Sequence, residues 1–159
     1  MLDNLKDWLL QRAIRKQNPR QARLRNYKDI RNVLLVYKNE PTSLNADILH
    51  IKDTLVKEGK EVTLFTLDLD KETTFLDRPK QAKVLELQQV NYDLLIDLTL
   101  EPCRPLHYLA LYARADCKAG LELTHGILDF MIAVSKQVNA SFLYEQIIRY
   151  LKMINSTLI

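Results

Sequence analysis

Residues 32–67 read "NVLLVYKNEPTSLNADILHIKDTLVKEGKEVTLFTL", and this stretch decides the fold. It opens on a continuous apolar, β-branched run, residues 32–37, of the kind found in strands buried on both faces. In "PTSLNADILHIKDTLVKEGKEV" Ser43 or Asn45 can cap a helix, and Leu44, Ile48, Ile51 and Leu55 form its inner stripe. Gly59 stands where a left-handed C′ residue belongs. "VTLFTL" is a second strand. A strand, a helix and a strand within about 35 residues make a βαβ unit, which requires a parallel pair.

The alternation continues. Residues 68–80 are polar and irregular, and "PKQAKVLELQQV" is helical, with Pro79 near its first turn. "YDLLIDL" (92–98) is a third strand, apolar on both faces until Asp97. The stretch "PLHYLALYARA" starts a helix at Pro105 and turns Leu106, Leu109, Ala110 and Ala113 to one side. "CKAGL" (117–121) and "LDFMIAV" (128–134) are two more strands. The joint between them, "ELTHGI", is too short for a helical crossover, which leaves that pair either antiparallel or linked by a bare loop. A helix from about Ser141 to Ile154 closes the chain. The pattern predicts a three-layer, Rossmann-like or flavodoxin-like α/β domain over residues 32–159, with about five mostly parallel strands and helices on both faces.

Residues 1–31 differ in character. They carry nine Lys/Arg against three Asp, net +6, whereas the remaining residues are net −3. Leu2, Leu5, Trp8 and Leu9 follow i, i+3, i+4 spacing and predict a short amphipathic helix. Asn18-Pro19 interrupts it. The expectation is a basic N-terminal helical arm whose Arg12, Arg15, Lys16, Arg20, Arg23 and Arg25 engage an anionic partner. That partner is either a polyanion such as RNA or DNA, or an anionic membrane surface into which Leu2, Leu5, Trp8 and Leu9 dip. The bland alternative is a solvated helix whose short apolar stripe packs on the body. A third use of the Leu2/Trp8 stripe is contact with a protein partner.

Composition narrows the chemistry. With 47% apolar and 27% charged residues the chain is globular. The first 16 residues do not read as a signal peptide, and no uncharged apolar run is long enough to span a bilayer. Two cysteines make a disulfide framework unexpected and point to a reduced cytoplasmic protein, with the inner membrane face open to the arm.

Glycine is scarce. The turn after the first strand, "YKNEPTS", has none and carries Glu40, so a phosphate-cradling dinucleotide loop is not expected, and no cofactor is assigned. Cys103, His107, Cys117 and His125 make a nominal zinc set. Parallel strands would place the two cysteines far apart, and no metal site is assigned. Ligands of open α/β sheets bind beyond the carboxyl ends of the strands. That rule selects Asp97, Thr99 and Arg104 as ligand-binding candidates, Asp97 otherwise serving only to accept N–H bonds from its own turn. No catalytic residue is assigned.

Two resemblances accompany this reading. "YDLLIDLTLEPCRPLHYLALYARADCKAG", "LDFMIAV" and "EQIIRYLKMI", preceded by "FLDRPKQAKVLEL", resemble a family of small bacterial proteins known mainly from Bacteroidota, whose function is not established. That implies the architecture but no activity. "YDLLIDL…R…ALYARADCKAGL" is similar to the N-terminal domain of heptosyltransferase-type glycosyltransferases. This similarity implies that residues 92–98 and 118–120 are scaffold, because those enzymes bind nucleotide-sugar chiefly in a second domain. The leading expectation is therefore a non-catalytic binding or adaptor domain. The alternative is a small-ligand-binding or glycosyltransferase-like domain with a pocket near Asp97.

Overall fold

The computed structural model describes residues 1–17, 21–39, 43–133, 137–154 and 157–158. Helix α1 (Leu2–Lys16) is followed by a two-residue strand β1 (Arg23–Leu24) and a 3-10 turn at Tyr27–Asp29. The body then runs β2 (Asn32–Val36), α2 (Ser43–Lys57), β3 (Glu61–Phe65), α3 (Gln81–Leu87), β4 (Asn91–Asp97), α4 (Arg104–Tyr112), β5 (Arg114–Leu121), β6 (Phe130–Ile132) and α5 (Ala140–Met153). A last strand, β7 (Thr157–Leu158), pairs antiparallel with β1.

The main sheet has the order β3-β2-β4-β5-β6, and all of its pairs are parallel. Numbered within the sheet alone this is 2-1-3-4-5, the flavodoxin-like order, whose switch point lies between β2 and β4.

Side-chain alternation builds the three layers. Val33, Leu35, Leu94, Ile96, Cys117 and Ala119 turn to one face, where Ile48, Ile51 and Leu55 of α2 and Leu143, Ile147 and Leu151 of α5 cover them. Leu34, Val36 and Leu95 turn to the other, under Leu87 of α3 and Leu106, Leu109 and Ala110 of α4. Both strand faces are apolar because both are covered.

Element ends follow local chemistry. Gly59 adopts φ +85° just past α2, and Lys60 N–H bonds back to Leu55 O at 3.0 Å. The Asn139 side chain caps α5 by accepting from Phe142 N–H at 2.8 Å. Lys60 is buried; its ammonium donates to Tyr27 O and Ile30 O, both at 2.6 Å, and so ties the segment before β2 to the body.

The last strand pair is parallel and joined by the bare loop 122–129. Such a short connection works because β6 pairs only with Ala119–Leu121, so the chain needs to double back by two residues rather than a strand length. Asp129 secures the return: its N–H donates to Lys118 O and its carboxylate accepts from Lys118 N–H, both at 2.8 Å. The strand expected at 128–134 is observed at Phe130–Ile132; Val134 lies outside the described residues, as do Asn18-Pro19 and Glu40. β5 begins at Arg114, three residues before the expected start.

Gly120 is required by close approach rather than by a turn. A Cβ built there meets the Asp97 carbonyl oxygen at 2.9 Å, Leu128 Cδ1 at 3.0 Å and Asp97 Cβ at 3.1 Å. Backbone cannot give way as a side-chain tip can, so Gly120→Ala is expected to destabilise the fold by about 1–3 kcal/mol. Urea unfolding checks this, and an unchanged midpoint would show that β4 and β5 can separate locally.

Candidate functional site

The carboxyl rim of the sheet is where this topology places a ligand. Val36 and Asp97 are register partners across the switch point. Asp97 and Thr99 are both buried, at 4% and 2% exposure. One Asp97 oxygen accepts Thr99 N–H at 3.0 Å, a local turn bond. Burial pushes the Asp97 carboxyl up to about 6, against the pull of its Thr99 hydrogen bonds toward the charged form.

A cavity of about 440 Å³ opens beside them, between α1, the 69–77 loop and the start of α4. Arg104 lines it, whereas Asp97 and Thr99 do not. The Arg104 guanidinium is held by three carboxylates: Asp7 at 2.7 Å, Asp3 at 2.9 Å and Asp77 at 3.1 Å. Lys6 adds a pair to Asp77 at 3.4 Å. The three ligand candidates are thus not one cluster. Arg104 reaches away from Asp97 toward α1, and the fold spends its charge internally.

Cys103 and His107 share the cavity wall, but the contact joining them runs from Cys103 backbone N–H to His107 Nε2, at 3.2 Å. Burial holds the His107 pKa down to about 4, so the ring is neutral with its proton on Nδ1. Burial also pushes the Cys103 thiol up, which keeps it protonated near neutral pH. The pair is not an activated nucleophile. Among the described residues no group of three or more His, Cys, Asp or Glu side chains converges as metal ligands.

The basic candidates of the N-terminal segment are not treated alike by the fold. Arg25 is fastened to the amino edge of the sheet, pairing with Asp93 at 2.8 Å and Asp116 at 2.9 Å. Asp93 also accepts the N–H groups of Arg31 and Asn32, which anchors the entry into β2. Arg23 lies in β1, and Arg20 is outside the described residues. Arg12, Arg15 and Lys16 are exposed on α1, and none of them makes an ion pair among the described residues.

Helix α1 docks on the body with the face opposite to its Leu/Trp stripe. Leu10 is buried, Ala13 and Ile14 pack on the α3/α4 core, and Asp3, Lys6 and Asp7 make the ion pairs. Residues 3, 6, 7, 10, 13 and 14 form one helical face. Leu2, Leu5 and Trp8 consequently point outward at 40%, 45% and 51% exposure, beside Arg12, whose guanidinium lies 5.5 Å from the Trp8 ring centroid. Leu9 is half-buried at the flank. The Arg104 partner Asp77 is not singled out by the sequence as a site residue, because residues 68–80 read as polar and irregular. Asp77, at φ +62°, is the single described non-glycine residue with positive φ.

Two measurements probe this end of the sheet. A native pKa near 6 exceeds the ordinary 3.8, so over that interval the folded protein holds a proton the unfolded chain has released. The Asp97 contribution is therefore fully present below about pH 3.8 and is lost as pH rises through 6. Asp97→Asn keeps an acceptor for Thr99 N–H and never ionises. Its stability relative to the parent should rise by on the order of 2–3 kcal/mol between pH 4 and 7, read from urea titrations. A pH-independent difference would mean that the carboxyl is not desolvated. Separately, Arg104→Met removes the hub of the α1 ion pairs, and trypsin is expected to cut at Lys6 and Arg12 several-fold faster while the body stays resistant.

Comparison with curated proteins and with solved structures returned no match. A family model does match: it spans residues 3–154, from the first turn of α1 to the end of α5, so the chain belongs to DUF6913, a family of unknown function.

Proposed function

We propose that this protein is a non-catalytic binding domain that docks on an anionic membrane surface through the outward face of α1. The observation that carries this reading is the composition of that face: Leu2, Leu5 and Trp8 exposed in one stripe, continued by Arg12, Arg15 and Lys16. An interfacial helix needs an apolar strip that enters the headgroup–acyl boundary and cations that meet anionic lipid. Tryptophan favours that boundary because its ring is apolar and its N–H polar. No helix among the described residues is long and apolar enough to cross a membrane, so the attachment is peripheral as far as these residues go.

RNA or DNA would use the cations but leave the Leu/Trp strip in water, and this ranks nucleic acid below lipid. Bacteroidota membranes are the setting suggested by the family resemblance. The second reading is a small-ligand or glycosyltransferase-like domain using the cavity beside Arg104, favoured by its volume of about 440 Å³. It ranks lower because Asp3, Asp7 and Asp77 already occupy the Arg104 guanidinium.

Flotation with phosphatidylglycerol vesicles tests the leading reading. The full chain should float at low salt and progressively less as salt rises. Leu5→Asp or Trp8→Asp should abolish flotation without changing the thermal midpoint, since both side chains point away from the core. Flotation unchanged in both variants would sink the proposal, and retention on single-stranded RNA with no vesicle binding would replace lipid by nucleic acid.

A further inference from the structure

A second, smaller cavity of about 290 Å³ lies where the last turns of α1 meet the body, walled by Leu9, Arg12, Lys16, Gln17, Arg78 and Tyr112. We infer that this cavity is a headgroup site for a membrane lipid bearing a phosphate monoester, a deepening that rests on the interfacial reading above. Among the described residues its wall brings three cations together and includes no carboxylate. Arg12, Lys16 and Arg78 make no ion pair among the described residues, in contrast to Arg25 and Arg104, which the fold neutralises.

Arg78 comes from the body, not from the basic N-terminal run, and it is positioned in advance. Its Nη2 donates to Tyr112 Oη at 3.0 Å, and its guanidinium lies 5.4 Å from the Tyr108 ring, itself stacked with Tyr112 at 5.9 Å. Because the Tyr112 oxygen accepts from Arg78, its own O–H remains to donate to an anion. The Gln17 amide can donate as well. Guanidinium forks match phosphate oxygens two at a time, which a lysine alone cannot do. The carboxyl end of α1 opposes an anion with about half a unit of negative charge, against three full cations.

Size and surroundings select the ligand. The cavity is small for a nucleotide and suited to a headgroup. Arg12 is shared between this cavity and the Trp8 ring one turn earlier, so a phosphate held here would place its acyl chains along the Leu5/Trp8 strip. A dianionic monoester gains more from three clustered cations than the monoanionic diester of phosphatidylglycerol does.

The test compares the full chain on vesicles of phosphatidylcholine mixed with phosphatidic acid or with phosphatidylglycerol, at matched surface charge. The parent should prefer phosphatidic acid by about fivefold or more, and Arg78→Ala or Lys16→Ala should bring that ratio close to one. Thermal unfolding of each variant confirms the fold, and either folded variant suffices. A parent ratio near one with phosphatidylglycerol still bound overturns the headgroup site and leaves the interfacial reading standing. No binding to either vesicle removes both. A high ratio unchanged in both variants places the selectivity elsewhere and overturns the site. Release from phosphatidic acid vesicles by glycerol 3-phosphate, at concentrations comparable to the bound lipid, makes a free phosphomonoester the ligand and overturns the lipid source.

Discussion

In its docked orientation α1 sets Asp3 and Asp7 on the Arg104 guanidinium, which Asp77 also holds. Asp3 and Asp7 are mostly exposed, so each pair contributes little to stability, on the order of 0–1 kcal/mol. They match the observed orientation of α1. A half-turn rotation of α1 would bury Leu2, Leu5 and Trp8 and gain apolar contact. It would also turn Arg12 toward the body and strip Arg104 of two of its three partners. The docked face, with Leu10 and Ile14 as its apolar content, avoids that like-charge encounter and leaves the larger apolar residues in solvent. Gly126 belongs to the same arrangement: a Cβ there meets Ile14 Cγ2 at 2.7 Å, so the β5–β6 loop and α1 fit together only with glycine at this point.

The two ends of the sheet use charge differently. At the amino edge Asp93 and Asp116 hold Arg25, and Asp93 also caps the start of β2, which makes residues 23–32 part of the body's framework. At the carboxyl rim the cations that serve α1 docking, Lys6 and Arg104, are paired as well. On the outward side of α1, Arg12, Arg15 and Lys16 are exposed, and Arg78 from the loop before α3 shares a cavity with Arg12 and Lys16. The basic character of the N-terminal segment is thus partly structural and partly on display. A count of charges cannot separate the two, because pairing depends on which carboxylates the fold brings within about 4 Å.

Desolvation, rather than a neighbouring charge, shapes the chemistry of the rim. It raises Asp97 and Cys103 and lowers His107, in each case toward the neutral form. The neutral thiol and imidazole stand in the cavity wall, and the Asp97 carboxyl, outside it, is tied to its own turn. Desolvation accordingly leaves the Cys103/His107 pair unactivated. It also explains why the residues best placed by topology, Asp97 and Thr99, are not those best placed to meet a partner.

The layered architecture was legible in the sequence because buried strands and amphipathic helices have periods of their own: the apolar runs at 32–37 and 92–98, the Ile48/Ile51/Leu55 stripe and the Gly59 stop are local signals. Membership of a chain segment in α1 was legible for the same reason. The direction of β6 was not, because it depends on how few residues pair with β5. Nor was the outward direction of the Leu/Trp stripe, since hydrophobic periodicity reports that a helix has two faces and is silent on which one docks. In the structure the docked face is the one that sets Asp3 and Asp7 against Arg104, and Ala13 and Ile14 against the α3/α4 core, contacts with residues distant in sequence.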